Sequence, residues 1–384
     1  MILFKVRGEK YDISYNAATT KPSKNVLDAY LLAQTELWGN PSAIHSFGEE
    51  VFFKLKNVRD EIKKLLGAQN GEIYFTSSAT ESINTFFKGF LKPGEHLITT
   101  LYEHSAVYEN ARYFEDNGGE VTYLEPINGI VTPEMVLESV RENTSLVAIM
   151  AVNNEIGALN DVVGIAKAVK EKYPNIKVFS DCVQAIGKTP IDLRNSNLNG
   201  IAISPHKFHG LKGTGILYLN DIKINPLLLG GGQEDKMRSS TENVGGIFAT
   251  LEALKESINS VEAFQKNAYE LRNTMIEGLK DVEDKIINEP INFVPNILNI
   301  SFKNVKGEAL VHMLEGDEIY VSTSSACSSH ASKKSRSLVA MNVPDDYAGG
   351  TIRISFGDYN TKDEVKFAAQ KIKEYVSVIR ELMK

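Results

Sequence analysis

From Glu72 onward the chain alternates short apolar runs with stretches of helical period, and this alternation restricts the fold more than any other feature. The runs are Glu-Ile-Tyr-Phe from Glu72, His96 to Thr100, Glu120 to Leu124, Ser145 to Val152, and Lys177 to Ser180. Between them lie a helix through Phe86 and Phe87, a helix after His104, and helices over Pro133 to Val140 and Asp161 to Lys172. Parallel strands need long crossover connections, and a helix is the usual one. The alternation therefore predicts an α/β fold, with a mostly parallel sheet covered by helices. In such sheets ligands bind beyond the carboxyl ends of the strands. His104, Asn154, Asp181 and Gln184 all fall at such ends.

The flanking regions read differently. A short strand inside Tyr11 to Thr20 gives way before Pro22 to a helix that runs to about Trp38 and stops at Gly39-Asn40-Pro41. Ser46 to Leu66 carries Val51, Leu55, Val58 and Ile62 at helical spacing, with Gly67 as its C-cap and His45 as a loop or capping histidine before it. A long helical region spans Gly246 to Lys280, and interleaved Glu and Lys near residue 255 mark a domain junction. The remainder reads as α+β. Its strands are Ile297 to Phe302, Tyr320 to Ser322 and Thr351 to Phe356, and its helices Gly307 to Leu314, about Ser332 to Ala340, and Thr361 to Leu382. The expected organisation is a large domain over residues 16–255 and a small domain made of residues 1–15 and 256–384. A chain of 384 residues has room for both.

Composition narrows the function classes. The net charge of −7 argues against a general nucleic-acid surface, and no basic tract is interleaved with aromatics. Lys333, Lys334 and Arg336 form a basic cluster too short to mean more than a solvated loop. The N-terminus becomes charged after four residues, unlike a signal peptide, and no apolar run approaches the length of a membrane span. The 2 cysteines, Cys182 and Cys327, suit a reducing, cytoplasmic compartment without disulfides. There is no Cys-x-x-Cys and the histidines are scattered, so no metal site is expected.

Three segments carry chemistry. Ser204 to Leu219 places Lys207 between His206 and His209, ahead of a glycine-rich turn. An amine held in such a turn can form a Schiff base with a carbonyl cofactor, although most lysines are solvated loop residues. Thr76 to Ser82, Thr-Ser-Ser-Ala-Thr-Glu-Ser, joins a strand to a helix, where backbone amides and the hydroxyls of Ser77, Ser78 and Thr80 suit a phosphate or serve as N-caps. Cys327 sits among small hydroxylated residues near His330, which suits either a reactive thiolate or an incidental surface cysteine. Cys182, beside Asp181 and apolar Val183 and Ala185, reads as buried and structural.

In order along the chain, Asn-Ala-Ala-Thr-Thr from Asn16, Gly-Asn-Pro-Ser from Gly39, the Thr76 segment and Glu-His-Ser-Ala-Val around His104 are followed by Val-Asn-Asn-Glu-Ile-Gly around Asn154. Then come Asp-Cys-Val-Gln-Ala-Ile-Gly-Lys from Asp181, Ser-Pro-His-Lys ending at Lys207, Met-Arg-Ser-Ser-Thr ending at Thr241, and Ser-Ser-Ala-Cys-Ser-Ser around Cys327. The ordered set resembles the class V aminotransferase family, and within it the long-loop cysteine desulfurases. The resemblance runs essentially end to end and implies a pyridoxal-phosphate transferase of fold type I, with a seven-stranded-type sheet in the large domain and the cysteine loop in the small one.

By that resemblance the cofactor is pyridoxal 5'-phosphate and Lys207 forms its Schiff base. Asp181 pairs with the ring nitrogen, and His104 stacks on the ring and shuttles protons. Gln184 and Asn154 approach the phenolic oxygen and the substrate. Ala79 through its backbone, Thr80, Ser204 and His206 hold the phosphate, and Thr241 reaches the phosphate of the neighbouring subunit, which implies a homodimer. Arg353 clamps the substrate carboxylate, a task that suits a bidentate guanidinium. Cys327 accepts sulfur from L-cysteine, leaving L-alanine, and passes it as persulfide to an acceptor protein in iron–sulfur assembly or thiolation. Tyr15, Ser78 and Ser324 or Ser325 depart from the acidic residue and glycines usual at those places. A selenocysteine lyase or another class V enzyme is the alternative within the family. A catalytically weak assembly partner is the alternative outside it, disfavoured by the intact Lys207, Asp181, His104 and Arg353.

Overall fold

The structure, a computed structural model, describes residues 16–323 and 334–383. The expected strand before Tyr15 and the cysteine loop around Cys327 therefore lie outside the described residues.

In chain order the elements begin with α1 (Lys24–Glu36) and α2 (Ser46–Leu65), followed by β1 (Glu72–Thr76), α3 (Ala79–Phe90), β2 (His96–Thr100), α4 (Ser105–Asp116) and β3 (Glu120–Leu124). Next come α5 (Pro133–Glu138), β4 (Thr144–Ala148), α6 (Val162–Lys172), β5 (Lys177–Asp181), β6 (Gly200–Ile203) and β7 (Gly215–Leu219). A long α7 (Val244–Gly278) leads to β8 (Lys285–Ile287), β9 (Ile297–Phe302), α8 (Gly307–Gly316) and β10 (Ser322–Thr323). The chain closes with α9 (Arg336–Ala340), α10 (Asp345–Ala348), β11 (Thr351–Ser355) and α11 (Lys362–Leu382).

Seven strands form one sheet in the order β1-β7-β6-β5-β4-β2-β3. Only β7 runs antiparallel to its neighbours. Both faces are apolar, as a sheet sandwiched between helices requires. Alternate residues serve opposite faces: Ile98, Val147, Val178 and Ile201 pack into one cluster, and Leu97, Leu146, Phe179 and Ala202 into another. A second sheet, β10-β11-β9-β8, is antiparallel and packs its apolar residues against α11 and the end of α7. Helix α7 contributes Ile247 and Leu254 to the core of the first sheet and Leu271 and Met275 to that of the second.

Local chemistry fixes the element ends. His45 caps α2, its Nδ1 accepting from the Gly48 amide at 3.3 Å. Ser78 caps α3 in the same way for the Glu81 amide. Thr361 and Glu364 form a reciprocal capping box on α11. Strand β4 ends at Ala148, short of the Val152 expected. Its apolar continuation still bonds to β5, Ala151 N donating to Asp181 O at 2.9 Å, but leaves the ladder at the carboxyl edge. Helix α9 begins at Arg336 because Ser335 caps it, its hydroxyl accepting from Leu338 N. Strand β10 falls at Ser322–Thr323, one to two residues later than Tyr320 to Ser322, in register with Arg353 and Ile352. Strands β6 and β8 were not read from the sequence. The first is only Gly-Ile-Ala-Ile, too short to show a period.

Candidate active site

A cavity of about 360 Å³ opens at the carboxyl edge of the large sheet, where β5, β2, β4 and the turn after β6 converge. Its amine is Lys207, at the end of a short 3-10 turn, Pro205–Lys207. The Lys207 Nζ donates to the carbonyls of Ala17 at 2.9 Å and Ala18 at 2.7 Å. Residues 16–20 thus lie as a strap beside the lysine turn, and Thr20 N donates to His206 O at 2.9 Å. The strap is hooked in turn to β11, with Ala17 N donating to Ser355 Oγ at 2.9 Å.

Asp181 ends β5 and is buried, its Oδ1 accepting from Val183 N at 2.9 Å. Burial pushes its carboxyl above the usual range, opposed by His104, the Val183 amide and Lys207. His104 caps α4, its Nδ1 accepting from Ala106 N at 3.1 Å, and its ring opens onto the cavity. The protein packed around the ring pulls its pKa below the ordinary value; Asp181 opposes this, while Lys207 and Arg336 add to it. Gln184 reaches the strap, Nε2 donating to Ala17 O at 2.8 Å.

Helix α3 aims its N-terminus at the cavity, with Ser78, Ala79 and Thr80 in the wall. Free backbone amides and the helix dipole favour an anion there. Ser204 and His206 line the same space. Burial, with Lys207 and Lys212 adding, pushes His206 down to about 4, so its ring is neutral at neutral pH. Its Nδ1 lies 3.1 Å from Thr19 Oγ1.

Arg353, on β11, enters from the second sheet. One terminal nitrogen donates to Asn154 O at 2.8 Å and the other to Ser322 Oγ at 3.1 Å. An arginine only 9% exposed, with its guanidinium held on two sides, is preorganised for a carboxylate.

The cavity therefore gathers Ala79, Thr80, His104, Asn154, Asp181, Gln184, Ser204, His206, Lys207 and Arg353. Thr241 is not among them and is solvent-exposed before α7. Cys327 and His330 lie outside the described residues. The sequence reading missed the carbonyls of Ala17 and Ala18, which carry no side-chain signal, and Ser322, which only the pairing of β10 with β11 brings to Arg353. It also missed Glu103, whose place before His104 was the available sign. The Glu103 Oε1 accepts from Thr100 Oγ1 and Met150 N, both at 2.9 Å, while Oε2 is buried with no hydrogen-bond partner. Cys182 is buried, and burial pushes its thiol up to about 12.

A profile of the aminotransferase class-V family matches residues 14–367. The chain belongs to the class V aminotransferase family. Within it the similarity is to the cysteine desulfurases. The chain is 38% identical over 375 residues to the cysteine desulfurase IscS of Methanosarcina thermophila, covering 96% of this chain and 92% of that one. Among solved structures, a NifS-like protein superposes with a TM-score of 0.89 at 37% identity, covering 96% of this chain and 100% of the other. A structure of SspA in complex with cysteine superposes with a TM-score of 0.78 at 30% identity, covering 92% and 100% respectively. The seven-stranded, mostly parallel sheet is thus that of a class V enzyme of fold type I.

Proposed function

We propose that the protein is a pyridoxal-phosphate-dependent cysteine desulfurase that takes sulfur from L-cysteine onto Cys327 and releases L-alanine. The observation that carries this reading is the single cavity wall shared by Lys207, Asp181 and Arg353. The donor set fits the cofactor: an amine for its aldehyde, a buried carboxylate for its ring nitrogen, and a helix N-terminus for its phosphate. Ala79 by its backbone, Thr80, Ser204 and His206 would hold the phosphate, and Asn154 and Gln184 would flank the ring and substrate. Thr241 would serve the neighbouring subunit of a homodimer. Bound there, the cofactor supplies an electron sink for the carbon next to the substrate amine.

The remaining work belongs to the chain. Arg353 fixes the substrate carboxylate, with its fork held by Asn154 O and Ser322. Lys207 Nζ, held at the cavity wall by the strap carbonyls, takes the proton from the substrate Cα. His104 stands beside Asp181 to pass protons at the substrate. The Cys327 thiolate forms a bond to the substrate sulfur as the Cβ–S bond breaks. The sulfur stays on the protein as persulfide, and a proton added at Cβ together with return of the proton from Lys207 to Cα completes alanine. The persulfide then goes to an acceptor protein, an iron–sulfur scaffold or a thiolation enzyme, in the cytoplasm. We assign residues 16–255 to a cofactor-binding domain, and 1–15 with 256–384 to a smaller one. The separate apolar cores of the first and second sheets support that division.

Two variants separate the roles. Lys207→Ala is expected to lose the visible absorption of the bound cofactor. Cys327→Ala is expected to keep that absorption while losing at least about 99% of alanine and persulfide formation, as loss of an essential nucleophile does. An unchanged spectrum in the first, or full turnover in the second, removes that residue from the mechanism.

A further inference from the structure

The lysine turn has a second tie to the strand that carries Arg353, away from the cavity. His209, two residues past Lys207, sits at φ 67°. Left-handed backbone is unfavourable for a non-glycine residue and persists where neighbours hold it. Three groups hold it. The His209 amide donates to Thr20 Oγ1 at 2.7 Å. The ring Nδ1 lies 2.8 Å from Lys21 O, and Nε2 lies 2.8 Å from Asp358 Oδ2.

The partners of the ring are both acceptors. A carbonyl oxygen can only accept, and so can an ionised carboxylate. Burial pushes the Asp358 carboxyl up, but the His209 bond and the nearby Lys188 charge outweigh it and hold the group below its usual range. Both ring nitrogens therefore face acceptors, and the imidazole, its side chain 11% exposed, bridges Lys21 O to Asp358. Asp358 lies in the turn after β11, in the same segment as Arg353. Lys188 faces the pair from behind. It is 4% exposed, with its ammonium 4.3 Å over the Phe264 ring. Tyr359 closes the outer side, edge-on to the imidazole at 5.5 Å.

We propose that His209 and Asp358 form a hydrogen-bonded clamp that fixes the lysine turn against the end of the arginine strand, and so sets Lys207 relative to Arg353. The proposal rests on the roles assigned above to those two residues. Neither clamp residue lines the cavity, so both are positioning residues. Once the clamp is removed, the strap still ties the two segments, through Asn16 and Ala17 to Ser355 and through Ala17 and Ala18 to Lys207. The substrate spans Lys207 and Arg353, whereas the cofactor's attachment does not involve Arg353. Opening the clamp therefore weakens cysteine binding more than cofactor attachment.

The test compares the holoenzyme with His209→Asn, Asp358→Asn and the double variant. Asparagine tolerates the left-handed backbone, and its amide nitrogen can replace Nδ1 toward Lys21 O without reaching Asp358. Each single variant is expected to raise KM for L-cysteine about five- to twenty-fold, with kcat within about threefold and the visible cofactor band retained. The double variant is expected to be no worse than either single one, because the two residues act through one contact. Hydrogen exchange of amides 206–211, measured without substrate, is expected to quicken equally in all three. KM effects that multiply in the double variant, an unmoved KM, or unchanged exchange at 206–211 overturn the clamp. If the unaltered enzyme does not turn over cysteine, the active-site reading fails, while the exchange measurement still decides the clamp by itself.

Discussion

Glu103 is a carboxyl buried one residue before His104, with one oxygen bonded and the other without a partner. Burial pushes it up to about 8; the Met150 amide opposes this and the nearby Asp181 charge adds to it. Its folded pKa lies above its unfolded one, so the folded state holds the proton more tightly. That contribution is whole below the ordinary carboxyl range and is lost as pH rises toward and through about 8. Glu103→Gln removes this titration and keeps the acceptor for Thr100 and Met150. Urea unfolding is expected to show the unaltered protein losing about 2 kcal/mol more than the variant between pH 6 and pH 9. Equal losses would show that Glu103 is already ionised in the folded state. At this scale the sequence was informative where a polar side chain stands at the end of a legible strand, as His104 and Asp181 do, and where Lys207 sits between two histidines ahead of a glycine-rich turn. It was silent where the work falls to backbone, as at Ala17 and Ala18, or to a residue placed by distant pairing, as at Ser322.

Helix α3 owes its position to a close approach by β7. A Cβ on Gly215 would lie 2.4 Å from the Ser78 carbonyl carbon and 2.6 Å from its oxygen. Neither atom can move without shifting the helix start that lines the cavity. Gly215→Ala is therefore expected to cost about 1–3 kcal/mol in urea unfolding and to release the cofactor faster on dialysis. Unchanged retention would mean that the helix start does not hold the phosphate. Element types were legible where period and caps agree, as in α2 with His45 before it or α11 with its Thr361 cap. They were hidden in β6 and β8, whose four and three residues are recognisable only by their partners in the sheets.

At the scale of the molecule, α1, α2 and the chain between them leave large apolar side chains in solvent. Leu31, Leu32, Trp38, Ile44, Phe52 and Phe53 are each more than half exposed. Exposed apolar groups suit an interaction surface, and in the proposed homodimer a second copy would cover them and bring Thr241 to the neighbouring site. Sedimentation is expected to give twice the 42.5 kDa chain mass, and Trp38→Asp with Phe52→Asp to give the monomer with reduced turnover; a monomeric unaltered protein would contradict the dimer. The α/β class and the mostly parallel sheet were legible from the alternation after Glu72, because both faces of each strand had to be apolar. The antiparallel place of β7 was not, since it depends on a strand partner outside the local pattern. The most direct test of the central claim is to incubate the purified protein, loaded with pyridoxal 5'-phosphate, with L-cysteine and to assay alanine and protein-bound sulfane sulfur together. Equal amounts of both in the first turnover are the predicted result. Cysteine left intact, or alanine formed with no sulfur on the protein, would contradict it.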